Sequence, residues 1–276
     1  MKKIKNWMQL GVTSILAVGL LAACGTAEDT PEEATTGADD VEAEAGDEEK
    51  TVLVMGTSAD YPPYESVDVT TGEIVGFDVD IAEYITSELG YELEIQDMDF
   101  NGIIPALQAG RVDFALSGMT PTEERKKSVD FSDVYYDAQN LVVFKEEDGL
   151  SSVEDLAGKT VGVQLASIQE EAAVELQEEL DGLTIETRNR VPELVQELLA
   201  GRFDALIIED TVAAGHLEAN PGLVSFAIES EGETGSAIAF PKDSELTEPF
   251  NEKLQEMMED GTMEELILKW FGGEEQ

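Results

Sequence analysis

The chain has 276 residues, with 61 Asp and Glu against 16 Lys and Arg, giving a formal net charge of −45 and a pI near 4.1. Charge of that sign and size repels phosphate, and no basic stripe interrupts it, which excludes nucleic acid as a partner. A single cysteine excludes an internal disulfide framework, and a single histidine excludes a histidine pair for zinc, so neither a metal nor another cofactor is expected.

From the N-terminus, Met1-Lys2-Lys3-Ile4-Lys5 is a basic start, and Leu10 to Ala23 is an apolar stretch ending in small residues. That reads as a secretory signal over residues 1–23, too short for a spanning helix. The run Leu21-Ala22-Ala23-Cys24 resembles a bacterial lipobox, which implies cleavage before Cys24 and a lipid on its sulfur. The mature protein would then be tethered to the outer face of the cytoplasmic membrane without crossing it. Residues 24–50 are rich in Glu, Asp, Ala and Thr and nearly empty of large apolar side chains, the composition of a disordered spacer. Acidic pairs continue through the rest of the chain, as at Glu170-Glu171, Glu178-Glu179 and Glu264-Glu265. Self-repulsion on this scale is better tolerated where salt screens it, so a saline, halophilic setting is expected.

Residues 51–276 read as an α/β region. Val52 to Thr57 is a buried strand, and Tyr61-Pro62-Pro63-Tyr64 is turn-like. Asp78 stands where it could cap a helix running to about Leu89, with Gly90 just past its end. Tyr91 to Ile95 alternates as a strand, Ile103 to Ala109 is helical, Val112 to Leu116 is a strand, and Thr122 to Lys127 is a short charged helix. Leu141 to Phe144 is another strand, after which the pattern restarts at Ser152 and runs to about Glu231. Ser236 to Pro241 is a further strand, and Leu246 to Trp270 reads as two amphipathic helices interrupted at Gly261.

One motif occurs twice. Leu107-Gln108-Ala109-Gly110-Arg111-Val112-Asp113 leads into Phe114-Ala115-Leu116, and Leu198-Leu199-Ala200-Gly201-Arg202-Phe203-Asp204 leads into Ala205-Leu206-Ile207-Ile208. Each copy reads as helix, glycine C-cap, link and buried strand, followed by a polar segment: Ser117-Gly118-Met119-Thr120 in one, Glu209-Asp210-Thr211 in the other. Two similar lobes, each with polar residues beyond a strand end, imply a ligand held between them. The expected division is lobe 1 over residues 51–143, lobe 2 over 144–237 and a return to lobe 1 over 238–276. The lobes would be joined by strands near 143 and 238 that act as a hinge.

Several spaced segments then carry a specific resemblance. Gly76-Phe77-Asp78-Val79-Asp80, Asp99-Phe100-Asn101-Gly102-Ile103-Ile104-Pro105, Gly118-Met119-Thr120-Pro121-Thr122-Glu123-Glu124-Arg125 and Asp130-Phe131-Ser132 occur in order. They resemble the extracellular solute-binding proteins of family 3, which supply polar amino acids to ABC importers. The resemblance implies a type II periplasmic-binding-protein-like fold, two hinged α/β lobes around a cleft. It also implies an amino-acid ligand, a permease and its ATPase as partners, and a monomer.

What it implies residue by residue can be set beside the chemistry of an amino acid. Arg125 matches the arginine that clamps the ligand carboxylate, a role suited to a bidentate guanidinium. Thr120, Gly118 and Ser117 match neighbouring contacts, and backbone N–H groups around Ser167 and Ile168 match donors at a helix N-terminus. Asp210 matches the acid that pairs with the ligand ammonium, together with the backbone of Gly118; Glu209 reads as its neighbour. Tyr61 and Phe100 match an aromatic pair around the ligand side chain. Asp78 can reach a distal basic group or serve only as a helix cap, and Gln164 stands at a specificity position. Ser58 replaces an acid found in relatives, which favours glutamine or another neutral ligand, whereas the wider pattern favours a basic, arginine-like one. The other readings on the same scaffold are a cyclohexadienyl-dehydratase-like enzyme and a ligand-sensing lipoprotein. Against catalysis, the chain offers only His216 and no nucleophilic cysteine.

Overall fold

The computed structural model describes residues 51–228 and 234–272. The expected signal, Cys24 and the acidic spacer lie outside the described residues, as does the end of the second-lobe pattern near Glu231.

Two five-stranded sheets organise the chain. The first contains β1 (Val52–Thr57), β5 (Glu92–Asp97), β6 (Phe114–Ala115), β7 (Val129–Tyr136) and β13 (Ser236–Pro241), in the order β5-β1-β6-β13-β7. The second contains β8 (Asn140–Lys145), β9 (Thr160–Gln164), β10 (Thr184–Arg188), β11 (Ala205–Glu209) and β12 (Leu223–Ala227), in the order β10-β9-β11-β8-β12. The two orders are the same arrangement. In each, three parallel strands are followed by one antiparallel strand that arrives from the other lobe and by a second antiparallel partner. A small third sheet of β2 (Asp60–Tyr61), β3 (Glu65–Val67) and β4 (Ile74–Val75) follows β1.

The chain therefore changes lobes between β7 and β8, at residues 137–139, and between the end of β12 and the start of β13. The expected crossing near 143 would fall inside β8. All of β8 pairs with β11 and β12, because its apolar Val142 and Phe144 are needed in the second core. β7 was not foreseen as a strand; its pairing with β13 contains irregularities that disguise the usual alternation.

The repeated motif has one structural meaning in both copies. Helices α2 (Ile103–Gln108) and α5 (Val191–Leu199) end in left-handed glycines, Gly110 at φ 62° and Gly201 at φ 70°. The next N–H closes the last turn, Arg111 onto the Ala106 carbonyl at 3.0 Å and Arg202 onto Glu197 at 2.9 Å. Two residues on, Asp113 accepts the Val54 N–H and Asp204 accepts the Thr160 N–H, both at 2.7 Å. Each aspartate thus fastens the link to the parallel strand, β1 or β9, beside which the following strand pairs. The apolar face of α5 is regular: Val191, Leu194, Val195 and Leu198 are buried at helical spacing. Each contributes roughly 1.5–3 kcal/mol by leaving water.

Helix α1 (Phe77–Glu88) begins two residues earlier than a capping Asp78 would require, and Gly76 occupies its N-cap. Asp78 is instead fully buried. The short helix α3 (Glu123–Lys126) is capped by the Thr122 hydroxyl, which accepts the Arg125 N–H at 3.3 Å. In lobe 2, α4 (Ile168–Glu179) follows β9 and α6 (Asp210–Ala219) follows β11. Helices α7 (Thr247–Asp260) and α8 (Thr262–Ile267) pack behind the first sheet, where Phe250, Leu254 and Met257 join the core of β1 and β6. Gly261 separates them as expected.

Candidate functional site

The strand ends of the two sheets meet across a cleft, and most of the singled-out residues lie there. Arg125 is buried from α3. Its Nη1 donates to the Thr120 carbonyl and its Nη2 to the Ala166 carbonyl in lobe 2, both at 2.9 Å. Phe100 lies 5.3 Å from the guanidinium carbon, a cation–π contact on the face of the ring. Burial lowers Arg125 to about 10, so it remains a cation at neutral pH.

The segment after β6 is tied into lobe 1. The Gly118 N–H donates to Asp78 Oδ2 at 2.8 Å, and the Ser117 hydroxyl donates to Glu65 Oε1 at 2.7 Å while accepting the Ser58 N–H at 3.1 Å. Gly118 holds φ 53°, and a Cβ there would stand 3.2 Å from the Tyr61 ring. Only glycine turns there without strain while leaving that ring in place. Tyr61 stacks on Tyr64 with 5.8 Å between centroids. Ser58 gives its hydroxyl to Asp60 Oδ1 at 2.8 Å.

Lobe 2 contributes Gln164, whose Nε2 donates to the Asn189 carbonyl at 3.1 Å, and Ser167, which caps α4 by accepting the Glu170 N–H at 3.1 Å. Ser167 also donates its hydroxyl to the Gln164 carbonyl at 2.8 Å, and Ile168 opens the helix.

Asp210 is not at the cleft. It starts α6, and its Oδ1 accepts N–H groups from Thr211 at 2.8 Å and from Gln139 at 3.3 Å. Gln139 belongs to the segment that crosses between the lobes, so Asp210 braces the hinge. It also lines an outer hollow of about 820 Å³ with Pro62, Tyr136 and Phe271, a space that none of the cleft residues reaches. The acid at the cleft is Glu209, the last residue of β11, which is 8% exposed. The Tyr64 hydroxyl from lobe 1 donates to its Oε1, and Thr211 Oγ1 does so at 2.7 Å. Burial pushes Glu209 up to about 7, and the nearby Asp210 charge adds to the rise.

Two further acids escaped the sequence reading, and they sit with Asp78. Glu65 on β3 is fully buried and raised well above the usual carboxylate range, first by burial and then by the charge of Asp78. Asp78 accepts from the Tyr135 hydroxyl at 2.8 Å and is pushed up to about 6 by burial. The charge of each buried carboxyl bears on the other, and Glu65 Oε2 has no hydrogen-bond partner among the described residues. Asp60 is also buried and raised, again mainly by burial. Among the described residues, no lysine or arginine is bonded to Glu65, Asp78 or Glu209. No group of His, Cys, Asp or Glu side chains among them converges closely enough to hold a metal ion. The only sign of Glu65 in the sequence is an acid directly after an aromatic turn.

Over residues 53–273 the sequence matches the bacterial extracellular solute-binding proteins, family 3. The chain belongs to that family. It is 49% identical over 273 residues, covering 98% of this chain and all of the relative, to the arginine-binding extracellular protein ArtP of Bacillus subtilis strain 168. It is 42% identical to an ancestral arginine-binding protein. The structures of that protein bound to arginine (TM-score 0.76) and to glutamine (TM-score 0.75) match 81% of this chain and 99% of theirs. It is also similar, at 38% identity and TM-score 0.71, to the ancestral amino acid-binding protein AncCDT-1, a precursor of cyclohexadienyl dehydratase. That match covers 80% of this chain and 95% of the other. The two-lobed α/β architecture and the substrate-binding role are those of the family, and its members act outside the cytoplasm.

Proposed function

We propose that this protein captures a cationic amino acid, arginine first among them, and hands it to an ABC permease. In this reading Arg125 holds the ligand carboxylate through its bidentate fork, helped by donors near Thr120 and at the start of α4. Glu209 replaces Asp210 as the partner of the ammonium. Glu65 and Asp78 receive the distal cation, and Tyr61, Tyr64 and Phe100 supply the aromatic walls.

The observation that carries this reading is the set of buried carboxyls without a cation. Three acids held above their usual range by burial are a stored electrostatic cost, and a ligand bearing positive charge relieves it. A neutral amide leaves that cost in place, which outweighs the missing acid at Ser58. The arginine-binding names and arginine-bound structure among the relatives point the same way.

Closure follows from differential contact: Arg125 and the buried acids belong to lobe 1, while Glu209, Ser167 and Ile168 reach the ligand only when the lobes meet. The chain would act as a monomer, anchored by lipid on Cys24 at the outer face of the cytoplasmic membrane in a saline setting, beside its permease and ATPase. It would perform no catalysis. Calorimetric titration against arginine, lysine, histidine, glutamine and glutamate tests the reading. One-to-one binding of arginine, lost in Arg125→Ala and in Glu209→Gln, supports it. Binding of glutamine alone overturns the ligand, and binding of no amino acid overturns the function.

A further inference from the structure

Outside the proposed ligand contacts, the lobes are joined by a second cross-cleft cluster. Three consecutive residues of lobe 2, Asn189, Arg190 and Val191, face three acids of lobe 1. Arg190 Nε donates to Asp99 Oδ1 and its Nη1 to Asp97 Oδ1, both at 2.9 Å, while Nη2 reaches Asp97 Oδ2 at 3.3 Å. Asn189 Nδ2 donates to Asp99 Oδ2 at 2.8 Å. The Val191 N–H, at the first turn of the nine-residue helix α5, donates to Asp60 Oδ2 at 2.8 Å. Arg190 Nη1 also lies 3.8 Å from Asp60 Oδ1.

This cluster has the properties of a fastening. One guanidinium serves two carboxylates in a fork that lysine could not reproduce. Asp60 is buried against a helix N-terminus, where an anion is favoured. All the bonds run between lobes, so all are lost when the lobes separate. The chain is strongly acidic, with 16 Lys and Arg against 61 Asp and Glu, so a cation bonded between the lobes offsets repulsion between them.

We propose that Asn189, Arg190 and the α5 N-terminus form a latch on Asp60, Asp97 and Asp99 that favours the closed form and slows ligand release. The latch sets the closure equilibrium and leaves ligand recognition to the groups described above. It rests on the reading that an amino acid is held between the lobes, but its structural consequence can be read without any ligand.

The test uses the full chain with Cys24→Ser, spin-labelled at Gln96→Cys on lobe 1 and Glu193→Cys on lobe 2, both exposed beside the latch. In the ligand-free protein, Arg190→Gln should deplete the short-distance population. With arginine as probe, stopped-flow measurement on the unlabelled protein should show dissociation about tenfold faster, with association little changed. The difference from the unsubstituted protein should narrow at high salt, since the Arg190, Asp97 and Asp99 side chains are partly exposed. Asp97→Asn with Asp99→Asn should reproduce the effect from the other lobe, and adding Arg190→Gln to that pair should do little more. Unchanged distances and dissociation, or fully additive effects of the two sides, would overturn the latch. If arginine fails to bind the unsubstituted protein, the proposed function falls, while the distance distributions still decide the latch.

Discussion

The two lobes share one topology and use it for different ends. In lobe 1, β6 runs into an irregular segment whose Ser117 and Gly118 are bonded to two buried acids, and the chain then turns into α3 to bring Arg125 inward. In lobe 2, β11 runs directly into α6, leaving Glu209 as the last strand residue at the cleft and Asp210 as the first helical residue at the hinge. A one-residue step along the chain therefore separates a cleft acid from a hinge acid. In the proposed reading, lobe 1 stores the charge that a ligand must satisfy, and lobe 2 supplies the groups that arrive on closure.

The sharpest break in that comparison is Arg125→Ala, which removes the buried cation that α3 places beside Thr120 and Phe100. Arginine binding should fall by at least about 100-fold in calorimetry, the scale for deleting one partner of a buried charged pair. Glu209→Gln should follow, weakening arginine about 10-fold or more through the lost charge. Asp210→Asn should change affinity by less than about threefold, since its partners are backbone N–H groups at the hinge. If Asp210→Asn proves the more damaging of the two, the assignment of roles at the end of β11 is reversed.

The raised carboxyls give a pH dependence with a defined sign. Asp78 stands at about 6 and Glu209 at about 7, so the ligand-free folded state holds protons that the unfolded chain has released. Folded stability without ligand should therefore fall as pH rises from about 4 through 7, the window between the ordinary and raised values. Arginine needs those groups ionised, so its affinity should rise over the upper part of the same window. Thermal unfolding with and without arginine at pH 5 and pH 8 checks both slopes. The ligand-induced rise in Tm should be larger at pH 8.

The smallest expected effects sharpen the likeness of the lobes. Asp113→Asn and Asp204→Asn each weaken one charge-assisted bond to a strand N–H, in β1 and in β9 respectively. Each should lower stability by about 1–2 kcal/mol in urea unfolding, and by similar amounts. A large difference would show that the two copies of the motif do not carry the same strain.

Much of this was legible in the sequence because it depends on local chemistry. The repeated Gly-Arg-x-Asp segment announced two equivalent helix ends, and Gly110 and Gly201 close them in the same way. Of the residues that the resemblance singles out, Arg125 lies against Phe100 and Thr120, and Gly118 lies beside Tyr61. What the sequence could not resolve was depth. Glu209 and Asp210 are adjacent acids, and only the register of β11 against β8, with Glu209 opposite Asn140, decides which one turns inward. Glu65 and Asp60 look like surface acids in a chain full of them, and their burial comes from the small β2-β3-β4 sheet, whose strands are too short to leave a periodic pattern. The Arg190 cluster joins residues 90 or more positions apart and has no local signature.

The most direct measurement is paired calorimetric titration with arginine and citrulline at pH 8, because the two ligands match in shape and differ in the charge of the distal group. If the buried carboxyls prepare the cleft for a cation, arginine should bind roughly 100-fold tighter or more, the penalty for leaving a buried charge without its partner. The gap should shrink at pH 5, as Asp78 and Glu209 take up protons. Equal affinities for the two ligands at pH 8 would show that the carboxyls do not read charge, and the cationic assignment would be wrong.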